Sequence, residues 1–247
     1  MKKSTLAAFV MAREHYREMV DGLCRELPKL GRLQQKLVNN REGPTYTVET
    51  PIVYNGALDD VQPAVDIKLI LVADNPGRRE QAAENRRYLV GPSGKIAEKF
   101  FRETPALGID FRRNVIILNK TPIHTPRTAD LAELRRLGGA ALTTALEESQ
   151  RAMAALLLEF HRALSPVPVW ITGYSEMKKG GIFEAYTNTV RDLYVNEKKL
   201  KKTVLLFRHF SMNQFTIDLH KQMLPGKAVP ETLDRIGAAY RERVLGF

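Results

Sequence analysis

Four short apolar runs, at 67–72, 115–118, 167–172 and 203–207, alternate with longer segments of helical periodicity. This alternation limits the chain to few folds. Runs so short and so continuous suit strands buried on both faces, and strand–helix–strand order implies right-handed crossovers within a parallel sheet. The expected fold class is α/β, a three-layer α/β/α sandwich with a central four-stranded parallel sheet. The longest helical segment runs from about Ala140 to Leu164. Leu6, Phe9, Val10, Tyr16, Met19, Val20, Leu23 and Leu27 form a helical stripe behind a Ser4 cap, and Pro28 ends it. A helix is expected around Asn213 to Met223 and another after Pro230, a residue suited to a first helical turn. Residues 39–63, rich in Asn, Gly, Pro and Asp, read as a connector, with Tyr46 to Val48 a minor strand. There is no internal repeat or low-complexity tract. A single domain, 1–247, is expected, with the N-terminal helix and linker (1–63) packed on a core at 64–247.

Composition narrows the chemistry. Lys and Arg total 38 against 28 Asp and Glu, a formal charge of +10 and a pI near 9.7, which suits a partner bearing phosphates. Ribosome-associated and membrane-surface proteins share that excess. One cysteine, Cys24, excludes an intramolecular disulfide framework, an iron–sulfur cage and a cysteine zinc site within one chain, and points to a reducing compartment. The N-terminal apolar stretch, broken by Arg13, Glu14 and Arg17, is too short for a signal core or a membrane span. A soluble, cytoplasmic monomer without metal or organic cofactor is expected.

The polar residues that follow the apolar runs carry the functional signal. Asp74-Asn75-Pro76-Gly77 follows the first, Asn119 the second and His209-Phe210-Ser211 the last. Open parallel sheets bind ligands beyond the carboxyl ends of their strands, so three groups distant in sequence can meet at one pocket. Taken singly, Asp-Asn-Pro-Gly is ordinary turn chemistry. Downstream, Tyr88-Leu89-Val90-Gly91-Pro92-Ser93-Gly94 opens an amphipathic helix; its glycines permit close approach of a phosphate or flat base. No Walker lysine–serine pair or dinucleotide fingerprint is present, which disfavours a nucleotide hydrolase.

In order and spacing these four groups resemble the uracil-DNA glycosylase superfamily. That family has a Gly-x-x-Pro-Gly-like water-activating motif, a Phe-Val-Gly-x-x-Gly-like loop, an Asn at the end of the second strand and a His-Pro-Ser motif after the last. The similarity extends from about residue 51 to residue 215. The Asn-Pro-Gly element is similar to the mismatch-directed and single-strand-selective branches, and the Val-Gly-x-x-Gly loop to the iron–sulfur branch; a chain with only Cys24 would be a cluster-free relative.

The resemblance implies roles, each beside a plainer alternative. Asn119 would read uracil's O4 and N3–H edge, or else cap the turn before Pro122. His209, as a neutral imidazole, would donate to O2 as charge develops on the departing base, or else be a satisfied surface residue. Asp74 and Asn75 both remain candidates for holding the water. Asp74 is slightly favoured on chemistry, since a carboxylate accepts a proton or stabilises a cationic sugar whereas an amide only orients water. Gly77, Tyr88 and Leu89 would surround the base, and Ser211 would bind the adjacent phosphate or simply cap a helix. Arg78, Arg79, Ser93 and Met212 would contact DNA, with Met212 or Phe215 as the wedge filling the vacated stack.

Departures from the family pattern bear on activity. Ala73 replaces the usual Gly, Phe210 the Pro of His-Pro-Ser, and Leu89 stands where a Phe often stacks on the base. Tyr88 is a substitute platform, whereas Phe100 and Phe101 read as helix core. Further basic pairs occur at Arg86-Arg87, Arg112-Arg113, Lys178-Lys179 and Lys198-Lys199 with Lys201-Lys202, the last run read as a hairpin or loop before the final strand. The expectation is a glycosylase excising uracil or a related deaminated base from DNA. The alternatives are an altered or inactive glycosylase-fold nucleic-acid-binding protein and a nucleotide- or nucleoside-processing hydrolase.

Overall fold

The computed structural model describes all of residues 1–247. Its centre is a four-stranded parallel sheet formed by β1 (Leu69–Ala73), β2 (Val115–Asn119), β3 (Val169–Thr172) and β4 (Val204–Phe207), in the spatial order β2-β1-β3-β4. Every strand residue is buried, as expected of a parallel sheet covered on both faces. Seven helices surround it: α1 (Lys3–Glu26), α2 (Leu30–Asn39), α3 (Pro92–Glu103), α4 (Asp130–Leu164), α5 (Glu184–Tyr194), α6 (Gln214–Gln222) and α7 (Val229–Leu245). The fold is the three-layer α/β/α sandwich expected. No helix is long and apolar enough to cross a membrane.

Helices α1 and α5 each pack on α4, with Phe9 of α1 edge-on to Phe160 of α4. Between the sheet and helices α3 and α6 lies an aromatic cluster: Trp170 stacks on Phe101 and Phe215, and Phe215 stacks on Phe210 at 4.4 Å. Helix α7 lies against β4, where a Cβ on Gly237 would come within 2.8 Å of Leu205 and Phe207. One contiguous hydrophobic core runs from Phe9 to Leu245.

Several local expectations need correction. Helix α1 begins at Lys3 after Lys2, so Ser4 lies inside the first turn and makes no capping bond. Helix α4 starts at Asp130, ten residues before the long periodic segment, because Gly139 (φ 65°) joins two helical pieces across a kink. Of the two readings of the 198–202 basic run the loop holds and the hairpin does not: Lys201 and Lys202 lie in a 3-10 turn, Leu200–Thr203, directly before β4. Tyr46 to Val48 is not a strand. The connector is held by side chains instead. Gln81 accepts from the amides of Glu49 and Thr50 and donates to the Thr47 carbonyl, and Gln34 donates to the carbonyls of Pro51 and His124. A single antiparallel bridge, Ile52 to Ile123, completes the attachment.

Strand order determines where the site lies. From β1 the chain passes to β2 on one side, then returns to β3 on the other. The loops leaving β1 and β3 therefore diverge, opening a crevice beyond their carboxyl ends.

Candidate active site

That crevice is a cleft of about 720 Å³ whose walls come from the segments after all four strands and from the start of α3. It gathers Asp74, Asn75, Gly77, Arg78, Arg79, Leu89, Ser93, His209, Ser211 and Met212, ten of the residues expected at the site. Tyr88 and Asn119 are not on its wall.

Asp74 forms the floor. Its Oδ1 accepts a 2.5 Å hydrogen bond from the ammonium of Lys120, and its Oδ2 accepts one of 3.2 Å from the Thr128 hydroxyl. Lys120 is fully buried; it also donates to the Thr172 carbonyl at 2.5 Å and lies 4.9 Å from the Phe183 ring centroid. Burial lowers its pKa, while the Asp74 charge opposes that shift. This lysine thus ties together the ends of β1, β2 and β3. Gly173 completes the floor: at φ 78° it occupies a region that favours glycine, and a Cβ there would sit 2.4 Å from Asp74 Oδ1.

Asn75 stands beside it with a defined orientation. The Thr125 hydroxyl donates to the Arg127 carbonyl at 2.8 Å, so it receives the Asn75 Nδ2–H, also at 2.8 Å. That bond places nitrogen toward Thr125 and leaves Oδ1 as the acceptor available to a ligand or water. Behind this turn, His124 Nδ1–H donates to the Pro76 carbonyl at 2.9 Å and its Nε2 accepts from the Tyr46 hydroxyl at 2.9 Å. Burial pushes its pKa down to about 4, so the ring is a neutral structural link from connector to turn.

Glu80 closes the turn by accepting the Gly77 amide at 2.8 Å, and burial pushes its carboxyl up to about 7. It also meets the backbone at Leu89 and Val90, joining the turn after β1 to the loop before α3. Leu89 sits at φ 53°, with its carbonyl bonded to Arg112 Nη2 at 2.8 Å. A Cβ on Gly94 would fall 1.5 Å from that carbonyl, which accounts for glycine in the first turn of α3.

His209 lines the cleft from the segment after β4. Its Nδ1 accepts the Ser211 amide at 3.0 Å, so the neutral ring carries its hydrogen on Nε2. Burial lowers its pKa, opposed by Asp74 and aided by Lys120. Ser211 opens a 3-10 turn, Ser211–Asn213, that leads into α6. Met212 lies at the cleft's edge, 83% exposed and at φ 51°. Phe215, its alternative as a wedge, is core. Arg78 and Arg79 are exposed on the rim, with Arg78 over the Tyr46 ring at 5.0 Å.

Two expectations fail in position. Tyr88 turns away from the cleft: its hydroxyl donates to the Val53 carbonyl at 2.6 Å and pairs with the Tyr16 hydroxyl. It cannot serve as a stacking platform, because its ring is committed to the core. Asn119 ends β2 beside Ala73 but is 1% exposed, and its Nδ2 has no hydrogen-bond partner. The turn-capping alternative for Asn119 therefore gains no support from that nitrogen. The reading of the sequence missed Lys120, Thr125, Thr128 and Glu80. Lys120, directly after a strand-end Asn in an apolar context, was the one local signal available. No family model matches the chain, and no curated protein matches it significantly.

Proposed function

We propose that this protein is a DNA glycosylase that hydrolyses the N-glycosidic bond of uracil or a related deaminated base. The observation that carries the reading is that one cleft holds a fixed acceptor, Asn75 Oδ1, after β1 and a fixed neutral donor, His209 Nε2–H, after β4, two strands separated by β3. Such a reaction needs an oriented water on one side of the sugar carbon and a donor to the departing base on the other. Asn75 Oδ1 orients the water. Asp74, 2.5 Å from the Lys120 ammonium, faces the cationic sugar. Both of its oxygens already accept hydrogen bonds, which shifts the water-holding role from Asp74, slightly favoured on chemistry alone, to Asn75.

In the step, water oxygen forms a bond to C1′ as the C1′–N bond breaks, and the bonding pair leaves with the base. His209 Nε2–H stabilises the charge on the base carbonyl, and the proton lost from water reaches the base nitrogen through solvent. Arg78, Arg79 and Arg127 on the rim suit the phosphates flanking an extruded nucleotide, and Met212 suits the gap it leaves.

The test is base release from single- and double-stranded oligonucleotides carrying uracil, hypoxanthine or xanthine. Release that is lost in Asn75→Ala and His209→Ala supports the reading; absence of release from every substrate rejects it. One observation favours a second reading, a nucleic-acid-binding protein without base release. With Leu89 in the platform position and Tyr88 turned into the core, the cleft lacks the aromatic face that stacks a base. Salt-sensitive DNA affinity with intact strands would select it.

A further inference from the structure

A second cavity, of about 310 Å³, lies behind the same loop that walls the cleft. Along this loop Leu89, Gly91 and Ser93 face the cleft, whereas Tyr88, Val90 and Lys95 face the cavity. The cavity adjoins β2, the edge strand, and its lining is amphipathic: Leu58, Phe111 and Ile117 are apolar, and four cations, Arg87, Lys95, Arg112 and Arg113, stand against one carboxylate, Glu98. Only Arg87 and Arg112 have carboxylate partners, Asp60 and Glu98. Lys95 and Arg113 are left as unpaired cations.

Arg112 is fixed from three directions. Its Nη2 donates to the Leu89 carbonyl at 2.8 Å, its Nε donates to Glu98 at 3.1 Å, and its guanidinium lies 4.8 Å from the Phe111 ring centroid. It remains 39% exposed, so the restrained plane is also accessible. A guanidinium held flat in this way is a stacking surface for an unpaired base, and free cations nearby match the phosphates on either side of it.

We infer that this cavity holds a nucleotide unit, a flat base with its phosphate, belonging to an unpaired stretch of the same strand whose extruded nucleotide occupies the cleft. The inference rests on the proposed function for its partner, and it adds a contact to a neighbouring nucleotide with a preference for single-stranded substrate. Loop 88–95 acts as the fin over which the strand passes. A paired base cannot enter, because its face is covered by the stack.

The experiment is fluorescence anisotropy on the full chain with uracil-free oligonucleotides, single- and double-stranded, over a salt series. In Lys95→Glu/Arg113→Glu, neither residue being in the proposed catalytic set, single-strand affinity falls about tenfold or more, and the salt slope becomes shallower by about 0.7 for each phosphate no longer neutralised. Ala57→Trp, which fills the cavity, weakens single-strand binding with no change in salt slope, while the melting temperature shows that both variants fold. Unchanged single-strand affinity in both folded variants overturns the inference, as does an equal loss for duplex. A thermal shift by 2′-deoxyadenosine monophosphate that the variants abolish, with oligonucleotide affinity unchanged, assigns the site to a free nucleotide and overturns the strand. These readouts need no base release. Loss of the glycosylase reading alone therefore appears as intact substrate beside an intact binding defect.

Discussion

The floor and the far wall of the cleft are built on opposite plans. On the floor, between the ends of β1 and β3, Asp74 is engaged by Lys120 and Thr128, and Lys120 by Asp74 and Thr172. On the wall after β4, one ring nitrogen of His209 is fixed while the other is free, and Met212 projects almost fully exposed. Polar groups that satisfy one another hold a shape. Polar groups left with one open valence are positioned to bind something else. Floor variants should therefore register first in stability, and wall variants first in activity.

The largest effect that would break this contrast is at the floor. Lys120→Met leaves the buried Asp74 carboxylate without its cation and should destabilise the protein by about 3–5 kcal/mol, measured by urea denaturation. Adding Asp74→Leu should recover much of that loss, because the unpaired charge is gone. A loss below about 1 kcal/mol in the single variant would show that the pair does not support the floor.

Next is the pH dependence of the supports beneath the floor. His124 has a folded pKa of about 4, below the ordinary 6.5, so the unfolded chain binds its proton first as pH falls. Its contribution is present above 6.5 and is lost on acidification through 4, up to about 3 kcal/mol. Glu80 has the opposite sign. With its carboxyl raised to about 7, its contribution is full below 4.5 and is lost as pH rises through 7. His124→Gln should flatten the acid limb of a stability–pH curve, and Glu80→Gln the limb toward neutral pH; identical curves for wild type and both variants would remove these groups from the floor's support.

The wall predictions are smaller in stability. His209→Ala should cut base release about a hundredfold, the usual size for losing one donor to developing charge, with a melting temperature close to wild type. Parallel loss of fold and activity would place His209 with the floor instead. Met212→Ala should change stability by no more than about 0.5 kcal/mol, as for other exposed side chains, and should weaken binding to uracil-containing duplex more than to single strand. Equal weakening would exclude it as the wedge.

Much of this was legible from local pattern. The continuous apolar runs identified the four strands to within two residues at each end, and the polar clusters after β1 and β4 identified two of the segments that line the cleft. Tyr88 was misassigned because adjacent residues of an irregular loop face opposite ways, and no periodicity tells which side faces the ligand. Lys120 and Glu80 were missed because buried ionisable groups are read from sequence as solvated, and only their partners, 46 residues away for Lys120, reveal otherwise.

The sequence by itself determined the layered α/β class, since helical and strand periods alternate along it and short continuous apolar runs are stable only as strands covered on both faces. It also marked the polar segments after β1 and β4 that line the cleft. The tertiary structure alone decided the order β2-β1-β3-β4, and through it the crevice between β1 and β3 where Asp74, Lys120 and Gly173 meet. Strand order depends on long-range packing of crossover helices. Hydrogen-bond direction at Asn75 depends on Thr125, 50 residues away, which only folding brings within 2.8 Å.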